Sequence, residues 1–243
     1  MIACDCPVCA SSDTRDKRTR SSLYIETPEA AFVVDTGPDF RAQCLRERVR
    51  RLDAVVYTHS HTDHIMGFDD LRRFSDLLPG RTLPIYASPE TMDDLQRVFR
   101  FAFDGTARFP GYILPEPHLV TDTFRLGETE ITPLPVPHGR IKVNGYLFSR
   151  AGRKLLAYFS DCKEVPAPAR ERVAGVEILV LDALRHRPHP THMSLDEALE
   201  VADALRPGRT YLTHLCHDLG HVETEKLLPD GVRVAFDGLK IEL

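Results

Sequence analysis

The sequence predicts a mixed α/β protein of one domain, built around bound metal. Three observations predict it. Twice along the chain, strand-like runs come first and strand–helix units follow. Residues 58–64, Thr-His-Ser-His-Thr-Asp-His, crowd four ligand-type side chains at the end of an apolar strand. Cys4, Cys6 and Cys9 cluster at the start of the chain, where a reducing compartment favours metal over disulfides.

The elements follow in order. Residues 1–20 read as a polar loop ending in the basic stretch Arg15 to Arg20. Ser22–Glu26 and Ala31–Asp35 read as strands joined by a turn at Thr27-Pro28-Glu29. Pro38 suits the first turn of a helix to about Arg50, with Phe40, Cys44, Leu45 and Val49 on one face. Strand Asp53–Tyr57 delivers the histidine cluster, and a helix near Asp69–Leu78 stops at Pro79-Gly80. Leu83–Ala87 is a strand, and Ser88-Pro89 opens a helix to about Phe99 with serine as N-cap. Residues 100–118 set Phe101, Phe103, Phe109 and Tyr112 among Gly and Pro, which reads as a long aromatic loop, a lid or a wrapped surface segment. Strands are expected near 124–126, 129–134, 145–149 and 154–160, then a short helix near 168–173 and strand Glu177–Leu181. Arg185 to His192 is an irregular loop. Ser194-Leu195-Asp196-Glu197 is a capping box opening a helix to about Leu205. Strand Arg209–Thr213, a helix near 222–228 and strands at 232–236 and 239–242 close the chain.

Composition sets bounds. The 243 residues suit one large domain, and no apolar run approaches the ~20 residues of a membrane helix. No charged-then-apolar leader precedes the cysteines, so a cytoplasmic protein is expected. The net charge of −5 gives no general attraction for polyanions.

One small cation cannot take His59, His61, Asp63 and His64 together from so short a segment. From an extended backbone His59 and His61 point one way while Asp63 and His64 turn the other, a layout for two adjacent metals. The plainer alternative is a solvated His-rich loop. His138, Asp161 and His214 stand at other predicted strand ends. Alone, each of the two histidines reads as readily structural or exposed.

The order HxHxDH, then a distant His, an Asp and a His, resembles the metallo-β-lactamase superfamily over nearly the whole chain, and Asp35 in Val33-Val34-Asp35-Thr36-Gly37 matches its early aspartate. The resemblance implies a four-layered αββα sandwich with a dinuclear centre of Zn or Mn. His59, His61 and His138 would hold one metal, and Asp63, His64 and His214 the other. Asp161 would bridge both, with Asp63 orienting a nucleophilic water or hydroxide between them. Cys-x-Cys-x-x-Cys together with Thr213-His214-Leu215-Cys216-His217 resembles the PhnP-type phosphodiesterases of the carbon–phosphorus lyase pathway. That likeness implies a structural zinc on Cys4, Cys6, Cys9 and His217, with Cys216 a less favoured fourth ligand. The alternative is a redox thiol cluster. Cys44 and Cys162 read as small buried residues. His192, in Pro190-Thr191-His192-Met193-Ser194, matches a family histidine that is not a ligand and would serve as proton donor or phosphoryl contact. Its alternative is an ordinary surface histidine. One departure is evident: the family's first strand and Gly-rich turn precede the cysteine loop, yet this chain reads Met1-Ile2-Ala3-Cys4, so that strand is expected to be lacking.

The function expected is a dinuclear-metal phosphodiesterase acting on a small or cyclic phosphodiester through a metal-bridging hydroxide. Nucleic acid is not favoured as a partner and no membrane is expected; a homodimer is one assembly left open. An RNA 3′-processing endonuclease of the same fold would carry a long arm for tRNA, and none is visible. A lactamase or thioester hydrolase fits the His192 and cysteine pattern less well. A zinc-stabilised, non-catalytic protein would carry one metal in place of three.

Overall fold

The computed structural model describes residues 1–78, 80, 82–105 and 111–243, so the expected stop at Pro79 and the aromatic Phe109 lie outside the described residues. The chain forms two compact units, Arg20–Thr129, and Met1–Thr19 together with Glu130–Leu243. Each holds a sheet flanked by helices.

In the Arg20–Thr129 unit, β1 (Leu23–Glu26) and β2 (Ala31–Val34) form an antiparallel hairpin, and β3 (Ala54–Val56), β4 (Thr82–Ala87) and β5 (Leu114–Leu119) add in parallel in the order β1-β2-β3-β4-β5. β2 and β3 are apolar and buried at every position, as parallel strands covered on both faces should be. Helix α1 (Phe40–Glu47) is shorter than expected, ending at Arg48 in the left-handed region. Leu45 is 64% exposed, against the expectation that it shares the buried face; it sits about 140° round the helix from Phe40 at ~100° per residue. Next come α2 (Thr62–Ile65), α3 (Arg72–Leu77) and α4 (Pro89–Val98), the last N-capped by Ser88 accepting from the Thr91 N–H. The expected aromatic loop is partly regular: α5 (Arg100–Phe103) continues from α4, and β5 pairs with β4 throughout. Phe103 and Phe99 stack on the buried Phe68, while Phe101 meets Tyr112 edge-on. Strand β6 (Phe124–Leu126) puts Phe124 face to face with Tyr86 of β4 at 4.6 Å.

In the other unit, β7 (Thr129–His138), β8 (Ile141–Arg150) and β9 (Arg153–Phe159) form an antiparallel meander, and β10 (Ile178–Asp182), β11 (Arg209–Thr213) and β12 (Val232–Val234) continue in parallel. Helices α6 (Ala167–Val173) and α7 (Leu195–Leu205) make the crossovers, and α8 (His221–Glu225) precedes β12. The capping box forms as expected: the Ser194 side chain accepts from Glu197 N–H and Glu197 accepts from Ser194 N–H. The strand expected at 239–242 is absent. Asp237 is tied down by the Thr19 N–H and hydroxyl, and Gly238 takes φ +86° and turns the chain away. Among the described residues, no helix is long and apolar enough to cross a membrane.

Candidate metal centre

In the Arg20–Thr129 unit, strand β3 runs out at Tyr57 and hands the chain to Thr58 through His64. Buried Asp35, just past β2, organises this stretch. It accepts from Thr58 N–H (2.8 Å), from the Thr58 hydroxyl (2.7 Å) and from His64 Nδ1 (2.7 Å). The Thr58 proton is thereby committed, so its oxygen accepts from His59 Nδ1 at 2.9 Å. Both Nδ1 atoms carry hydrogen, and the Nε2 lone pairs of His59 and His64 are left as ligand atoms. His59 Nε2 lies 3.0 Å from His61 Nδ1, near the ~3.3 Å edge of a tetrahedral site with ~2.0–2.1 Å bonds. Asp63 Oδ2 lies 3.8 Å from His64 Nε2 and 3.3 Å from Arg20 Nη1. Ser60 is held by Asp94 of α4 at 2.6 Å. Asp35 has φ +62°, a strained conformation for a non-glycine residue that holds its carboxylate under the histidines.

In the other unit, three histidines surround Asp161, which follows β9. From its Oδ2, His214 Nε2 is 3.4 Å away, His138 Nε2 3.8 Å and His192 Nε2 3.9 Å. Two of these are too long for N–H···O bonds but suit ligands sharing a cation. His138, the last residue of β7, bonds through Nδ1 to the Thr191 carbonyl at 2.9 Å, with Nε2 on the Asp161 side. Gly139 makes that approach possible, because a Cβ there would lie 2.7 Å from Thr191 Cγ2. His214 follows β11 at φ +59°, in the left-handed region like Asp35. His192 Nδ1 pairs with Asp182 Oδ2 at 2.7 Å, and its ring stacks on His214 at 4.7 Å. Burial pushes the Asp182 carboxyl well above the usual carboxylate range, with Asp161 adding to the shift. The hydrogen-bonded pair lies beside Asp161.

At the start of the chain, Cys4, Cys6 and Cys9 Sγ converge on His217 Nδ1 at 3.2, 3.5 and 3.7 Å. One ring nitrogen cannot bond three thiols, but a tetrahedral zinc with Zn–S ~2.3 Å and Zn–N ~2.0 Å has edges of about this length. The Cys9 N–H bonded to Cys6, with further help from His217, pulls the Cys6 thiol down to about 6, toward the thiolate a metal needs. Cys216 stands apart from this group, its sulfur accepting from Asp218 N–H. All three donor sets fit divalent metal on the chemistry of their atoms.

Residues 31–215 match the beta-lactamase superfamily domain. The chain belongs to that family. Its two sheets flanked by helices are the metallo-β-lactamase fold, which implies divalent metal. Among solved structures, a diphosphatase of the PhnP family is 40% identical, with a TM-score of 0.90 over 100% of this chain and 91% of that one. An octanoyltransferase of Porphyromonas gingivalis (strain ATCC BAA-308 / W83) is 32% identical over 244 residues, covering 98% of this chain and 48% of its own length. A ribonuclease Z of Bradyrhizobium sp. (strain ORS 278) is 30% identical over 174 residues, 68% of this chain and 56% of its own. The chain thus spans about half the length of these two relatives. Zn(2+)-bound PqqB from Methylobacterium extorquens, at 19% identity and a TM-score of 0.77, shares the fold.

The sequence-predicted residues fall into three groups. His59, His61, Asp63 and His64 lie together at the end of β3; His138, Asp161, His192 and His214 lie together at the ends of β7, β9 and β11 and ahead of α7; the three cysteines meet His217. Sequence reasoning missed Asp182. Its signal was available, since Asp182, like Asp35 and Asp161, is an aspartate at the end of an apolar strand. It also missed Arg20 beside Asp63 and Asp94 beneath Ser60.

Proposed function

We propose that this member of the family is a metal-dependent phosphodiesterase acting on a small or cyclic phosphodiester. His59, His61, Asp63, His64, His138, Asp161 and His214 would together hold two divalent ions, Zn or Mn. Cys4, Cys6, Cys9 and His217 would hold a structural zinc in a reducing, cytoplasmic setting. When bound, the paired ions supply Lewis acidity toward phosphoryl oxygens and a nucleophile ionised near neutral pH. Arg20 restrains Asp63, which orients the attacking water. Asp182 holds a proton on His192, and His192 Nε2 gives it to the departing oxygen.

The observation that carries this reading is the His192–Asp182 pair, 2.7 Å long and beside Asp161. A thiolate leaving from a thioester has less use for such a donor than an alkoxide, which must be protonated as it leaves. The likeness to a PhnP-family diphosphatase supports a phosphorus centre and adds a diphosphate to the candidate substrates.

The test compares leaving groups. His192→Ala is expected to lower kcat on a cyclic alkyl phosphodiester by about 100-fold or more, and much less on bis-p-nitrophenyl phosphate, whose phenolate leaves unaided. Asp161→Ala is expected to abolish both. Equal losses on the two substrates in His192→Ala would remove the proton-donor role. Full activity in Asp161→Ala would sink the dinuclear reading.

A further inference from the structure

A groove of about 560 Å³ opens on the unit that carries the cysteine loop, within the ~300–1,000 Å³ range of small-molecule sites. Its walls come from three places in the chain: Arg15 after the cysteine loop, Tyr211 on β11, and the segment from α8 through β12, which brings His221, Lys226, Arg233 and Phe236. None of these residues takes part in the metal chemistry above.

The lining is chemically mixed in a specific way. Tyr211 and Phe236 supply two aromatic rings, and Phe236 remains 37% exposed although its edge packs on His221 at 5.7 Å. Arg15 is neutralised by Asp13 at 2.6 Å. Arg233 is only loosely compensated, its Nε lying 3.9 Å from Glu225. Lys226 has no ion-pair partner among the described residues. Glu225 also lines the groove, its carboxylate held by the Val234 N–H, and His221 is 97% buried in the wall.

We propose that this groove binds a nucleoside monophosphate. The base lies against Phe236 and Tyr211, and the phosphate meets Lys226 and Arg233. Aromatic faces accept any base, while the ammonium and guanidinium require the anion, so neither half of the ligand satisfies the groove alone. The groove also has a structural reach. The strap from Asp13 to Thr19 is tied to its far wall by Asp16 accepting from His221 N–H at 2.8 Å and by Thr19 bonded to Asp237.

The experiment is calorimetric titration of the metal-loaded protein with adenosine 5′-monophosphate, adenosine and ribose 5-phosphate. The expected result is saturable binding of the monophosphate, with adenosine and ribose 5-phosphate each weaker by about 10-fold or more. Phe236→Ala and Lys226→Glu should each weaken it by a similar factor, and His61→Ala should leave it intact. Lys226 is exposed, so its substitution leaves the fold untouched. No binding to the native protein, unchanged affinity in Lys226→Glu, or binding lost in His61→Ala would overturn the proposal, the last by assigning the nucleotide to the metal centre. The outcome is independent of whether the metal centre hydrolyses phosphodiesters.

Discussion

Asp35 accepts three hydrogen bonds in a place closed to water, and through them sets the tautomers of His59 and His64. Through it the Nε2 atoms of two candidate ligands are oriented. Asp35→Asn keeps the volume but puts an amide N–H against a donor, whichever way the amide is turned. Metal affinity is expected to fall about 10- to 100-fold while the circular dichroism spectrum is retained, read by titrating the apo-protein with zinc against a competing chelator. His221 illustrates the other use of a buried histidine. Burial, aided by Arg15, holds its pKa below the ordinary 6.5. The sign follows directly. As pH falls below about 6.5 the unfolded chain takes up a proton that the folded chain refuses, so stability is complete above that pH and is lost below it, down to the folded-state pKa. His221→Gln is expected to flatten this part of the curve, measured as Tm against pH from about 7 to about 5 in the native and variant proteins.

The elements are arranged so that strand ends carry the chemistry. In the Arg20–Thr129 unit β2 and β3, and in the other unit β7, β9, β10 and β11, are each followed or closed by a candidate site residue, a pattern that fixes side chains on rigid backbone and leaves the loops to adjust. Gly37 and Gly67 show how tightly the turn around α2 is packed: a Cβ on Gly37 would lie 2.2 Å from the Asp63 carbonyl, and one on Gly67 2.3 Å from the Gly37 carbonyl. Helix α7 begins three residues after His192, behind its N-cap Ser194 and the Ser194–Glu197 box. Ser194→Ala removes one of its two reciprocal bonds and is expected to cost about 1 kcal/mol by urea denaturation. Metal content should not change, because Asp182, not the cap, orients His192.

Over the whole molecule, the cysteine loop and the His214–His217 turn bind the start of the chain to a strand end near its finish. Thr19–Asp237, Arg18 to the Cys216 carbonyl and Asp16–His221 add to that seam. If zinc on Cys4, Cys6, Cys9 and His217 closes it, the metal contributes to folding directly. His217→Ala is expected to lower the metal content by one ion per chain and to lower Tm markedly, while zinc still binds the remaining centre. A variant with unchanged Tm and metal content would show that the thiols hold no metal.

The candidate site residues stood out in the sequence because metal chemistry accepts few side-chain types and packs them at short, recognisable spacings, as in His59-Ser-His-Thr-Asp-His64. The order of strands and the Ser88 and Ser194 caps were legible because periodicity and capping are local. What was not legible depended on contacts between distant positions. Asp182 looks like any acid ending an apolar strand until His192 is folded against it, ten residues on. Leu45 reads as core until the helix phase is fixed by Phe40, and 239–242 reads as a strand until Asp237 is captured by Thr19. Composition and spacing decide which chemistry a chain can hold. Proton positions, the left-handed turns at Asp35 and His214, and the groove beside His221 belong to the packed chain, because each is set by atoms that only folding brings within a few ångströms.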